Sequence, residues 1–565
     1  MKHIALVIVA LLASACTDAL PQSDSGTSRA DVANADSGAP GGDADATAGD
    51  GAPSADSGAC TSDVTPSPGV VVTHRGAIRG VKRGETWAYL GVPFAAPPVG
   101  DLRWRPPQEP ACWAGERAAD ALPPACPQRE NNNGTISAIG QEDCLYLNVW
   151  APAAASSSPR SVLFFIHGGG NAQGSTDRDL YDGQRLAERE DAIVVTIQYR
   201  LGPLGFLVLP ELDKRSGHGQ SGNLGLLDQV HALKWVQTNI ASFGGDPKRV
   251  MVFGESAGAL DTCMMLVSPL AKGLFAAALM QSGACTAAPA DQRRKEGVEY
   301  LTKVGCDGAA DREACLLGKT ATELTSPVGE VIVGGLVQQG WGPVVDGYVL
   351  PDAPLVLIEQ KQHNAVPFVV GSNSDEMSPT VPPGSITPVK LAALFARFPE
   401  PHRSTLAALY PAGSTNTSAR QAYIDAVSDA QFVCSARDVA KTLAASQSEP
   451  VFRYSYEQPP PGVAGSIYGA FHGLELAYVF ASIEDVAAAD AEDKAIAQLL
   501  GRYWARFAKA GDPNGGSDPN WPRYDNNESY LEIGGTGARA KSALKVAKCE
   551  AWKAAIAALV APTTP

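Results

Sequence analysis

Histidine is scarce in this chain, with eight in 565 residues, and positive charge is in deficit: 45 Lys and Arg face 60 Asp and Glu, a net charge of −15. The charge deficit removes nucleic acid as an expected partner, because no basic face is left to meet phosphate. The shortage of histidine makes any imidazole chemistry easy to trace. Beyond the first 16 residues no stretch is long and apolar enough to read as a membrane-spanning helix, and no internal repeat is visible, which argues against a solenoid or array. Aromatic residues are missing from residues 17–67, which are almost all Ala, Asp, Gly, Ser, Thr and Pro. Such a segment cannot bury a core and is expected to be a disordered acidic tether, kept extended by its aspartates.

Residues 1–16 read as a targeting leader. Lys2 gives the positive start, residues 4–12 the apolar stretch, and Ala13, Ser14 and Ala15 the small residues before Cys16. This pattern resembles a bacterial lipobox, with Cys16 as the lipidated first residue, although Ala13 stands where leucine is usual. The alternative is ordinary cleavage and release. Either way the chain is expected to be exported, as a cell-envelope lipoprotein or a secreted protein. Eleven cysteines suit that compartment. Setting Cys16 aside, Cys126 and Cys144 bracket a polar, loop-like stretch, Cys306 and Cys315 a short acidic loop, and Cys434 and Cys549 would tie a late helix to the C-terminal one. Cys60 with Cys112 is a plausible fourth pair. Cys263 and Cys285 stay undecided, since spacing alone does not fix connectivity.

Residues 68–565 read as one α/β domain. Residues 70–80 and 86–91 look like a strand-rich N-terminal hairpin region, and the proline-rich residues 93–110 look like a surface wrap. Short apolar runs at 162–166, 192–198, 250–253, 368–371 and 452–456 are expected strands. Residues 226–240 have helical spacing, with Leu227, Val230, Leu233, Trp235 and Val236 as apolar positions. Strands alternating with helices imply a large, mainly parallel central sheet flanked by helices.

The most informative stretch is 243–258. A buried strand runs into Gly254-Glu255-Ser256-Ala257-Gly258, and a helix-compatible stretch follows at 257–267. This is a G-x-S-x-G elbow in strand–turn–helix context, with Ser256 as candidate nucleophile and glycines where a side chain would strike neighbouring backbone. Upstream, the strand at 162–166 leads into His167-Gly168-Gly169-Gly170. Backbone amides of Gly169 and Gly170, with that of Ala257, could stabilise the oxyanion of acyl transfer. The base in this order of motifs lies late in the chain. His402 sits in a charged, proline-bounded, surface-like run. His472 sits in a glycine-flanked loop between a strand and a helix, and is the better candidate. The acid follows the strand at 368–371, where position allows either Asp375 or Glu376; either could instead cap a helix.

Together these motifs resemble the type B carboxylesterase/cholinesterase family of α/β-hydrolases from about residue 70 to the C-terminus. Glu142-Asp-Cys-Leu-Tyr-Leu-Asn-Val-Trp150 matches one family signature, 243–258 the serine signature, 198–207 the N-Y-R block with Gln198 in place of Asn, and 223–237 a further block. The resemblance implies an α/β-hydrolase fold and a serine carboxylic-ester hydrolase working through an acyl-enzyme. It implies Ser256 as nucleophile, His472 as base and Glu376 as acid, with Gly169, Gly170 and Ala257 as oxyanion donors. Glu255 matches a glutamate beside the nucleophile and Ser282 a serine near the acid. The family's three disulfides match the first three pairings given above. No metal or organic cofactor is called for. Cholinesterases carry a tryptophan in the first disulfide loop to hold a choline cation. Here none stands between Cys126 and Cys144, the corresponding place being Gly134, so a small-molecule ester other than a choline ester is expected. Asn171 replaces the aromatic that commonly follows the glycine triplet, and is expected to make the pocket mouth less apolar. A lipase acting on aggregated lipid and a non-catalytic surface-binding protein on the same scaffold are the alternatives; oligomeric state is not readable.

Overall fold

The computed structural model describes Cys60 and residues 62–132, 135–333, 336–337 and 340–560. The expected leader with Cys16, nearly all of the expected tether, and Gly134 lie outside the described residues.

Eleven strands form the central sheet: β1 (Val81–Arg83), β2 (Thr86–Pro93), β3 (Tyr146–Pro152), β4 (Arg160–Ile166), β5 (Ile193–Ile197), β6 (Gly245–Glu255), β7 (Ala277–Gln281), β8 (Phe368–Asn373), β9 (Val451–Tyr456), β10 (Ser529–Gly534) and β11 (Gly537–Ser542). Their order across the sheet is β11-β10-β9-β8-β7-β6-β4-β5-β3-β2-β1. Every pairing from β5 through β10 is parallel, and the strands at either end are antiparallel.

The parallel strands are buried on both faces, so they read as continuous apolar runs rather than alternating ones. Their side chains still divide with period two. Val162, Phe164 and Ile166 of β4 enter one core with Val250, Val252, Ala278 and Met280, whereas Leu163 and Phe165 enter the other with Met251, Phe253 and Leu279. Two helices matter most for the site: α1 (Leu224–Asn239) and α2 (Ala257–Val267). Farther on, α3 (Cys434–Ser446) and the C-terminal α4 (Val546–Val560) frame a third apolar cluster that includes Phe395, Tyr410, Cys434, Cys549 and Trp552.

The N-terminal region is strand-rich, as expected, and holds two hairpins: Val70–Thr73 pairs with Gly76–Arg79, which also meets Glu116–Ala118 in a separate small sheet, and β1 pairs with β2, which joins the central sheet beside β3. Two expectations need correction. The polar stretch between Cys126 and Cys144 is an antiparallel hairpin, Gln128–Asn132 with Thr135–Ile139, rather than a plain loop. The proline-rich wrap is not wholly superficial: Trp104 is buried and its Nε1 donates to the carbonyl of Pro203 at 2.9 Å.

Five disulfides are formed: Cys60–Cys112, Cys126–Cys144, Cys263–Cys285, Cys306–Cys315 and Cys434–Cys549. They include the three pairs that the sequence suggested, and among the four cysteines left undecided they form Cys60–Cys112, the pairing held plausible, and Cys263–Cys285.

Candidate active site

Strand β4 is flanked by β5 on one side and β6 on the other. The chain leaves β4 toward one side and returns on the other, which opens a crevice at the carboxyl ends of the strands. The glycine triplet follows β4 and the serine elbow follows β6, so both candidate elements converge there.

At the elbow Ser256 adopts φ 56° and ψ −119°. A non-glycine residue in this region is strained, and the surrounding backbone must hold it. Its amide donates to the Gln281 carbonyl at the end of β7 at 2.9 Å, and its carbonyl accepts from Leu260 at 3.0 Å. The two flanking glycines are required by space. A Cβ on Gly254 would be driven into the carbonyl of Gly258, and one on Gly258 into the carbonyl of Ile166 at the end of β4. Gly168 is equally crowded: a Cβ there would sit 3.0 Å from Cβ of Ser256 and 2.8 Å from Oε2 of Glu255. The glycine loop therefore lies directly against the serine. Gly169 and Gly170 have φ 112° and 64°, and no described residue's backbone carbonyl accepts from either amide. Ala257 begins α2, so its amide has no intrahelical acceptor.

His472 lies in the turn before the helix Leu474–Val479. The loop after β8 is zipped to this turn. Asp375 N donates to Ala470 O at 3.0 Å, His472 N to Glu376 O at 3.0 Å, and Asn373 Nδ2 to Phe471 O at 2.7 Å. Glu376 is fully buried, and its Oε1 accepts from Asn373 N at 2.8 Å while its Oε2 lies 2.6 Å from Nδ1 of His472. Asp375 instead accepts from Ser374 Oγ and Gln421 Nε2. Of the two acids that position left open, Glu376 is the one that faces the imidazole.

Among the described residues Nε2 of His472 makes no hydrogen bond; Oε1 of Glu255 lies 3.2 Å away without hydrogen-bond geometry. Ser256, next to Glu255 in the chain, makes no hydrogen bond to the ring. The ring of Phe432, carried on a π-helical turn at Asp429–Val433, packs against His472 with centroids 4.7 Å apart. Burial pulls the His472 imidazole down, but Glu255 and Glu376 outweigh it and the net direction is up. Burial pushes the Glu255 carboxyl up, against the opposing charge of His472.

Glu475 belongs to this cluster and was not legible as a site residue. It is buried, accepts from Asn373 Nδ2 at 2.5 Å and from Gln281 Nε2 at 3.0 Å, and its carboxyl is pushed up by burial and then by Glu376. In sequence it looks like one acid of a short helix; only its place three residues after His472 could have drawn notice. Ser282 is buried with φ 53° at the end of β7, its amide donating to the Gly371 carbonyl at 2.9 Å, and its hydroxyl meets no partner among the described residues. It stands beside the strand that leads to Glu376 rather than on the acid itself. His402, the other late histidine, begins the helix His402–Leu409. Asn171 is also not where expected: it is 2 % exposed and turned inward, so it does not line a pocket mouth.

The sheet order, the strained serine turn and the His–Glu pair at the strand ends are those of an α/β-hydrolase. A family model described as the carboxylesterase family matches residues 67–552, and the chain belongs to that family; it is a carboxylic ester hydrolase. It is 34% identical over 525 residues to a medium-chain fatty acyl-CoA hydrolase precursor of Anas platyrhynchos, covering 85% of this chain and 91% of the relative. It is 36% identical over 481 residues to a fumonisin B1 esterase of Sphingopyxis macrogoltabida, covering 82% and 86%. With carboxylesterase 1D of Rattus norvegicus the identity is 35% over 535 residues, covering 86% and 93%. The five disulfides fit an exported protein.

Proposed function

We propose that the chain hydrolyses small carboxylic esters through an acyl-enzyme, with Ser256 as nucleophile, His472 as general base and acid, and Glu376 as the acid that orients it. His472 Nε2 takes the Ser256 proton as Oγ attacks the ester carbonyl. The negative charge that develops on the carbonyl oxygen is met by the amides of Gly169, Gly170 and Ala257. The ring then gives its proton to the departing alcohol. Water, deprotonated by the same nitrogen, attacks the acyl-enzyme and releases the acid. Glu376 fixes the tautomer that leaves Nε2 free to accept.

The observation that supports this most is the 2.6 Å contact between Glu376 Oε2 and His472 Nδ1 beside a serine held in the elbow conformation. On the side of the imidazole away from Glu376, Nε2 has no hydrogen-bond partner among the described residues. The absence of tryptophan between Cys126 and Cys144 directs the reading away from choline esters. We further propose that residues 1–16 are a leader ending in a lipidated Cys16, that 17–67 form a tether, and that 68–565 are the hydrolase, so that a membrane is met only through the lipid.

The test is turnover of a short-acyl chromogenic ester by the wild type and by Ser256→Ala, with a fluorophosphonate probe to mark the nucleophile. Loss of both turnover and labelling in the variant is expected; equal turnover in the two proteins overturns the reading. Mass spectrometry of the N-terminus decides the lipid.

A further inference from the structure

Two glycines in the candidate oxyanion loop have wide backbone freedom; the loop is held from within, where the Gly169 carbonyl accepts from Ala172 N at 3.2 Å and Gln173 N at 3.1 Å, and at its ends. Tyr199 OH reaches the His167 carbonyl at 2.9 Å before the triplet and Asn171 Oδ1 at 3.1 Å after it. The Asn171 carbonyl accepts from Gly202 N at 2.7 Å. Asn171 itself sits at φ 54°, a left-handed conformation that asparagine tolerates better than most residues with a side chain.

The remaining end of Asn171 meets an unusual partner. Its Nδ2 donates to Oδ1 of Asp261 at 3.0 Å, and the other Asp261 oxygen accepts from Gln229 Nε2 at 2.6 Å. Asp261 is fully buried, and among the described residues no cation pairs with it. Burial pushes its carboxyl up to about 7, with the two amides opposing. A buried carboxylate held only by neutral amides costs stability that an apolar side chain of similar size would not. Asp261 lies on α2, five residues after Ser256, so this costly group bridges the helix that begins at the nucleophile and the loop that carries the amides.

We propose that Asp261 is a positioning residue for ester hydrolysis: through Asn171 it fastens the glycine loop at 168–170 to α2, setting the distance between Ser256 and the amides of Gly169 and Gly170. This rests on the serine reading of the site given above. Stabilisation of an oxyanion depends on donors already in place, so a shift of about 1 Å in the loop weakens it steeply. Substrate binding in the ground state depends on it far less.

The test is an exchange. Asp261→Leu removes both acceptors, and Asn171→Asp leaves a carboxylate facing a carboxylate. The double variant N171D/D261N restores the link with the direction of that one bond reversed: the amide introduced on α2 donates to the carboxylate introduced on the loop, while Gln229 and Tyr199 donate as before. On a short-acyl chromogenic ester each single variant is expected to lose roughly ten- to hundredfold in kcat with KM within about threefold, and the exchange to recover to within about fivefold of wild type. Affinity for a trifluoromethyl ketone, whose adduct places an oxyanion beneath the amides, should fall by the same factor as kcat/KM. Single variants with unchanged kcat, or an exchange no better than the poorer single, overturn the proposal. Stoichiometric fluorophosphonate labelling establishes that each variant is folded and that Ser256 is reactive; failure to label the wild type would sink the serine reading instead. If the exchange variant does not label, Asn171→Leu decides, with the same loss in kcat expected and an unchanged kcat counting against the proposal.

Discussion

Glu376 holds His472 twice: its carboxylate lies 2.6 Å from Nδ1, and its backbone carbonyl accepts the His472 amide at 3.0 Å. The first contact sets the tautomer and the second sets the turn. Glu376→Gln removes only the first. It should lower kcat by roughly three to four orders of magnitude with little change in KM or melting temperature. Asp375→Asn, one residue earlier, should leave kcat within about threefold, since Asp375 faces Ser374 and Gln421. Steady-state kinetics on both variants check the pair; equal losses would mean that the acid has been misassigned.

The pH dependence follows from the carboxylates around the ring. The base must be neutral to accept the serine proton, and Glu255 and Glu376 together raise the His472 pKa above its ordinary value of about 6.5 despite burial. The acid limb of kcat/KM should therefore have its midpoint above that value. Removing the charge of Glu255 withdraws part of the stabilisation of the imidazolium, so Glu255→Gln should move the midpoint to lower pH. A pH–rate profile of the two proteins checks the sign, and a shift toward higher pH would contradict it.

Beneath the site, Arg200 and Asp228 form a buried pair. The Arg200 amide and Nε both reach Asp228 Oδ2, at 3.0 and 2.8 Å, and Nη2 reaches Oδ1 at 2.6 Å. This pins the segment after β5 to α1. Asp228→Asn leaves a buried guanidinium without its charge partner and should cost about 3–5 kcal/mol. Urea unfolding of the variant against the wild type measures it.

Cys434 and Cys549 join α3 to α4 across a separation of 115 residues. Cross-linking so long a loop restricts the unfolded chain strongly, and replacing both cysteines by alanine should cost about 4 kcal/mol. Cys434 also follows Phe432 by two residues, and Phe432 packs on His472. The same variant should therefore lose part of its kcat at temperatures where it remains folded. Denaturation and kinetics on one preparation separate the two effects.

The parts of the site written in local spacing were legible before the structure. The elbow is readable because its glycines answer to backbone a few residues away, and the parallel strands because burial on two faces leaves continuous apolar runs. What could not be read are contacts across long separations. Nothing near Asn171 says that its partner is Asp261, 90 residues on, and a polar residue after a glycine loop reads as exposed. The choice between Asp375 and Glu376 was open by position for the same reason, because it depends on which side chain the zipped loops turn toward His472. Glu475 was hidden by its helix. The pairing of β2 with β3 was equally out of reach, since Thr86 lies opposite Pro152.

The Cys60–Cys112 bridge closes the edge where the described chain begins, and Cys60 also donates its amide to the His74 carbonyl at 2.8 Å. A pull applied ahead of Cys60 would reach the enzyme along two covalent routes at once. Load would be shared with the proline-rich segment around Cys112 and would not unzip the strand Val70–Thr73 one bond at a time. Mechanically, tension arriving ahead of Cys60 meets a rivet before it meets the small sheet.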